Sequence, residues 1–180
     1  NCDWSSDVCS SDLVPRMTLG MTFRLLVFVL AAGLGTVFFA APADSPEKLA
    51  AEAEKAFQLH NYREAVARAE ACLKAAPDGP LARPMARLIG ISQVRLRQYV
   101  PGAQRLEKLL QDAPDFANDP DVMETLALAG MQSDPQGFAK IGPRVDRAVG
   151  LWGERKNTAR QIELLFKWAE YLQSHQWSIR

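Results

Sequence analysis

The chain has 180 residues, with 21 Lys plus Arg against 21 Asp plus Glu and 48% hydrophobic residues. A formal net charge of zero gives no whole-molecule field for nucleic acid or an anionic membrane. The 3 cysteines are Cys2, Cys9 and Cys72, and the first two fall in a segment set aside below, so no internal disulfide is expected and stability must come from packing.

Residues 3–13, DWSSDVCSSDL, resemble an in-frame translation of a sequencing-library adapter. Residues 1–16 are therefore read as non-native and kept out of fold reasoning. Residues 17–43 follow the order of a secretory signal peptide. A start at Met17 or Met21 and the cation of Arg24 precede an uncharged run, LLVFVLAAGLGTVFFA, which ends at Ala41-Pro42-Ala43 ahead of Asp44. The expected address is the bacterial periplasm or the outside of the cell. The alternative is an uncleaved N-terminal anchor facing the periplasm, although the run is at the short edge of what spans a bilayer.

Residues 44–180 are enough for one domain with its own core. Ser45 can cap a helix, Pro46 fits its first position and Glu47 suits its positive end. That helix runs to about Leu59, with Leu49, Ala53, Ala56 and Phe57 on one face. His60-Asn61 is the turn, and Asn61 is the residue expected to take the left-handed backbone. A second helix over 62–75 places Ala65, Ala69 and Cys72 on one stripe, and Pro77-Asp78-Gly79-Pro80 stops it. Cys72 on that stripe reads as a buried thiol acting as a small hydrophobe.

A helix over 83–97 follows without a clean cap, then a turn and a helix over 103–111 that has Pro101 at its start. Residues 119–131 and 138–151 form a third, less regular pair. Gly142-Pro143 is expected to kink or delay its second helix. Gly153 to Asn157 is a polar link. The last helix, 158–174, shows Ile162, Leu165, Phe166, Ala169 and Leu172 at helical spacing, broadened by Trp168 and Tyr171. Two readings stay open for it: a capping helix, or the first half of a fourth repeat. The wide apolar side favours the second.

The pairs share a skeleton. Around Tyr62 stand Ala53 at −9, Ala65 at +3, Ala69 at +7, Cys72 at +10 and Pro77 at +15. Around Tyr99, 37 residues later, stand Gly90, Gly102, Leu106, Leu109 and Pro114 at the same offsets. This pattern resembles the tetratricopeptide repeat, whose period is about 34 residues. Phe138 takes the tyrosine's place in the third unit. The resemblance implies an all-α, right-handed α-solenoid of about three helix-turn-helix repeats plus a C-terminal helix. The repeats fall at about 46–79, 83–116 and 119–153, with a partial one at 158–180.

No HExxH, CxxC, G-x-S-x-G or P-loop pattern occurs, so no catalysis, metal or cofactor is expected. His60 and His175 read as turn residues. Trp152, Trp168 and Trp177 read as core or stacking residues. The resemblance implies a concave groove lined by the first helix of each pair. That places Ala50, Glu54, Phe57 and Gln58, then Arg87, Ile91, Val94 and Arg95, on a surface for a peptide or protein partner. Arg83, Arg87, Arg95 and Arg97 make the second repeat locally basic, which reads first as a solvated face; the functional alternative is that Arg87 and Arg95, two turns apart, hold an acidic peptide segment in the groove. Some family members clamp a C-terminal carboxylate with Lys and Asn, but neither of these helices carries an Asn. The expected function is a non-catalytic interaction scaffold, by analogy in cell-envelope assembly or secretion. The alternative is the recruitment arm of a larger envelope enzyme.

Overall fold

The computed structural model describes residues 45–134 and 137–176. The adapter-like segment (1–16), the leader (17–43), Asp44 and the residues from Trp177 onward lie outside them.

Ser45 opens α1 (Pro46–Gln58): its hydroxyl accepts the Lys48 N–H at 3.3 Å. The left-handed residue that ends α1 is His60, with φ 61°, rather than Asn61. Asn61 instead caps α2 (Tyr62–Ala75), its side chain accepting the Glu64 N–H at 3.4 Å. The turn needs both a left-handed residue and a capping oxygen, and the asparagine serves the second need. Asn61 N–H returns to the Ala56 carbonyl at 2.9 Å and closes the turn. The same closure joins α3 (Ala82–Arg95) to α4 (Tyr99–Asp112), with Arg97 at φ 64° and Gln98 N–H on the Gln93 carbonyl at 2.9 Å.

α4 begins at Tyr99, earlier than the sequence suggests, because Pro101 sits in the first turn, where its missing N–H has no intrahelical acceptor to serve. A short 3-10 helix, Pro114–Asn118, then leads to Asp119, whose side chain accepts the Asp121 N–H at 3.0 Å and starts α5 (Pro120–Ser133). α6 (Phe138–Glu154) carries Pro143 in its second turn, and its start is not delayed. α7 (Thr158–Gln176) runs past His175, which is a helical residue and not a turn.

The described residues are all-helical, with seven α-helices and no strand, and neighbours pack in series from α1 to α7. Odd helices also meet next-but-one: α1 with α3, α3 with α5, α5 with α7. The stripe on each even helix is buried at the same offsets. Ala65, Ala69 and Cys72 face inward on α2, Gly102, Leu106 and Leu109 on α4, and Ile141, Val145 and Ala148 on α6. Phe138 therefore sets the register of α6 as Tyr62 and Tyr99 set theirs. In the third pair the small residue lies on the odd helix: a Cβ added at Gly130 would stand 2.8 Å from Ile141 Cγ1. Cys72 is 1% exposed and its thiol donates to the Pro46 carbonyl at 3.2 Å. Burial, and then the charge of Glu47, pushes its pKa up.

Candidate binding cleft on the odd helices

α3, α5 and α7 present one end each to a cleft of about 880 Å³. Val94 and Arg95 come from α3, Leu128, Met131 and Gln132 from α5, and Lys167, Glu170 and Tyr171 from α7. Helical periodicity explains the mixture: each helix turns its apolar stripe into the core and leaves the stripe's polar margin at the cleft wall.

Two ion-pair groups tie these helices to one another and to α6. Arg87 Nε donates to Asp119 Oδ2 at 2.6 Å and its NH2 to Asp121 Oδ2 at 3.0 Å, joining α3 to the start of α5. Burial works against the guanidinium charge, but the hydrogen bond and charge of Asp119, with those of Asp121, outweigh it and raise the pKa. Glu124 is a carboxylate with 4% side-chain exposure. It accepts the Trp152 indole N–H at 2.8 Å and Arg160 NH1 at 3.1 Å, and Arg95 NH2 approaches to 4.0 Å. A buried charge needs such partners, and here they come from α3, α6 and α7.

At the far end Tyr171 is 5% exposed and donates its hydroxyl to the Asp134 carbonyl at 2.9 Å. Burial first, and the charge of Asp134 second, raise its pKa. Its ring stacks on Trp168 at 5.3 Å, and His175 lies 4.4 Å away, centroid to centroid. Glu163 on the outer side of α7 is held below the usual carboxylate range by the hydrogen bond from Lys167.

The sequence-expected groove residues divide. Val94 and Arg95 line the cleft. Ile91 is 2% exposed and packs with Leu106 and Leu109. Arg87 is committed to the two aspartates. Glu54 and Gln58 are exposed on α1, and Ala50 is buried there. Phe57 is half-buried, edge-on to Tyr62 at 5.7 Å. Sequence reasoning missed Leu128, Met131, Gln132 and the Glu124 group, because nothing local marks a helical acid as buried. The one usable signal was the pair Glu124-Thr125 inside the otherwise apolar run VMETLALAGM.

A second cleft, of about 960 Å³, lies between the α2–α3 loop and α4. Arg83, Arg105 and Lys108 line it together with Asp78 and Asp112, so its charges oppose one another. Among the described residues no group of His, Cys, Asp and Glu stands together as a metal site, and no helix is long and apolar enough to cross a membrane.

No protein-family model matches the chain, and neither the curated proteins nor the solved structures hold a significant match to it.

Proposed function

We propose that this chain is a non-catalytic interaction scaffold, an exported tetratricopeptide-like right-handed α-solenoid that holds a peptide segment of a protein partner in the α3–α5–α7 cleft. The observation that carries the reading is the next-but-one contact of the odd helices, which leaves one cleft with apolar floor residues and charged margins. Val94, Leu128 and Met131 offer the apolar contact, while Arg95, Lys167 and Glu170 offer both signs of charge at the rim. Such a surface suits a short amphipathic segment better than a small polar metabolite.

Photo-crosslinking in the source cells tests this. A photoreactive residue at Gln132, in the cleft, is expected to capture a discrete partner band, and one at Lys74, exposed on α2, is not. Equal capture at both positions, or none at 132, would sink the reading. The address is tested separately by mass spectrometry of the exported protein. An N-terminus at Asp44 supports a cleaved leader, and retention of residues 17–43 supports the anchored form.

A further inference from the structure

The cleft of about 960 Å³ between the α2–α3 loop and α4 has a counterpart one interface on, at the loop between α4 and α5. The two loops share one backbone. Ala76 and Ala113, 37 residues apart, have φ −145°, ψ 76° and φ −150°, ψ 82°. Gly79 N–H returns to the Ala76 carbonyl at 3.3 Å, and Phe116 N–H to the Ala113 carbonyl at 3.2 Å. Ala82 N–H then meets the Gly79 carbonyl at 3.0 Å, as Asp119 N–H meets that of Phe116 at 3.1 Å. Gly79 and Phe116 therefore hold the same place, and what differs is the side chain.

The second loop uses that side chain. The Phe116 ring packs against the cluster of Leu109, Ala113 and Val122. Met123, at the start of α5, is 9% exposed. Arg147 of α6 closes over the loop, donating to the Ala117 carbonyl at 3.4 Å and to Asn118 Oδ1. The first loop has none of these parts. Gly79 stands for Phe116, Ala86 for Met123, and Leu81, which has no side-chain acceptor, for Asn118. Lys108 comes nine residues after Tyr99, as Arg147 comes nine after Phe138, and it has no partner among the described residues. Gly79, Ala86 and Lys108 all line the cleft. The first interface thus keeps open a space that the second fills from its own loop.

The walls specify what fits there. Leu73, Ala86, Pro101 and Leu109 make an apolar lining suited to an aromatic ring. Arg83 and Lys108 are exposed cations at its margin, and neither has an ion-pair partner among the described residues. Arg105 differs, lying 3.9 Å from Glu70. Asp78 and Asp112 are exposed at the same margin, so the complement is one acidic group beside the cations and not an acidic run. Gln93 also lines the cleft, and its Oε1 is buried with no hydrogen-bond partner among the described residues. A buried acceptor left unmade is costly, and turning the amide into the cleft would offer it to a backbone N–H of an occupant.

We propose that this cleft is a second docking site, which takes a peptide segment of a partner polypeptide through one aromatic side chain next to one acidic side chain. The ring fills the space beside Gly79, as Phe116 does in the next interface. The carboxylate meets Lys108, and a backbone N–H meets Gln93. The site shares no residue with the α3–α5–α7 cleft: α3 gives Gln93 to one, and Val94 and Arg95 to the other. Lys74 lines neither. A second copy of this chain offers no such segment among its described residues. Its aromatics that stand next to an acid are Phe116 and Tyr171, and both are packed into its own core.

The probe is an acetylated, amidated hexapeptide with the sequence of residues 113–118, Ala-Pro-Asp-Phe-Ala-Asn, titrated into the isotope-labelled full chain and followed by NMR. Saturable shifts are expected, and replacing the peptide's Phe by Ala should abolish them. Gly79→Phe in the protein builds the chain's own plug and should weaken binding about tenfold or more. A Cβ there would stand 3.2 Å from Ala76 Cβ, so a small shift admits it. Lys108→Glu should also weaken binding about tenfold, while Lys74→Glu should leave it unchanged. Circular dichroism checks the fold, and Lys108→Glu, at an exposed position, decides the matter if Gly79→Phe does not fold. The proposal is overturned if either of these two substitutions leaves binding unchanged in a folded protein, if Lys74→Glu weakens it as much, or if no saturation occurs below about 1 mM. It is equally overturned if 3-phenylpropionate binds as tightly as the peptide, which makes a small aromatic acid the occupant. A dimer in sedimentation that Gly79→Phe dissolves overturns it too, in favour of a second copy.

Discussion

Gly90 and Gly102 meet where α3 crosses α4: a Cβ on Gly102 would stand 2.9 Å from the Gly90 carbonyl oxygen and 2.7 Å from Val94 Cγ2. The obstacle is partly backbone and cannot rotate away. Alanine is favoured over glycine in a helix by about 1 kcal/mol, so propensity alone argues for Gly102→Ala. The crossing argues against it, and overpacking of a close contact costs about 1–3 kcal/mol. Gly102→Ala is therefore expected to lower the thermal midpoint. Gly150, in α6, has nothing within 4 Å of its virtual Cβ. Gly150→Ala should gain about 0.5–1 kcal/mol. Chemical denaturation of the two variants checks the opposite signs, and a stabilised Gly102→Ala would mean that the helices do not cross there.

Ala65 makes the corresponding crossing in the first pair, where both Ala65 and Ala53 are 0% exposed. Ala65→Leu adds three carbons to a site with no space and is expected to cost about 1–3 kcal/mol. Ala67, exposed on the same helix, provides the comparison. Ala67→Leu should move the denaturation midpoint little, and equal loss at both positions would contradict the assigned inner face.

The helices and the even-helix stripe were legible in the sequence because caps and small residues act locally. Ser45 acts through its hydroxyl on the Lys48 N–H, Pro46 and Pro120 through their fixed backbone geometry, and Ala65, Ala69 and Cys72 recur at helical spacing. Two classes of feature were not legible. Periodicity shows that α7 has a broad apolar side, but not that Leu164 and Tyr171 are its buried part while Leu165 and Phe166 stay exposed. That depends on which neighbour is present. Ion pairs between helices are the other class. Arg87 reads as a free groove cation until the 3-10 helix brings Asp119 to 2.6 Å from it. His60 rather than Asn61 in the left-handed position belongs with these, since one asparagine could fill either of two adjacent roles.

Trp152 and Glu124 provide a test of the buried pair. The indole N–H reaches Glu124 Oε2 at 2.8 Å, and Trp152 is 6% exposed. Trp152→Phe keeps an aromatic ring but removes that donor. Leaving a buried acceptor unsatisfied costs about 1–3 kcal/mol. The expected signature is coupling. In a Glu124→Gln background, Trp152→Phe should cost measurably less than in the wild type, by urea denaturation of all four proteins. Strict additivity would mean that the hydrogen bond does not contribute.

Glu107 couples the fold to pH. The hydrogen bond from Lys140, at 2.7 Å, and then that from Arg144, also 2.7 Å, outweigh burial and hold its carboxyl below the ordinary value of 4.5. Its pKa is thus lower in the folded chain than in the unfolded one. Such a group stabilises the fold above its unfolded pKa, and the contribution is lost as pH falls through the folded pKa. Glu107→Gln should therefore be less stable than wild type at pH 7. The difference should persist down to about pH 4.5 and close below it as the wild-type carboxylate takes up its proton. Urea midpoints of both proteins across that range check it. A difference that stayed constant into acid would point to lost packing at Glu107 instead of lost charge. Since Glu107 also joins α4 to α6, the same titration measures how much that link contributes to holding the third pair of helices on the second.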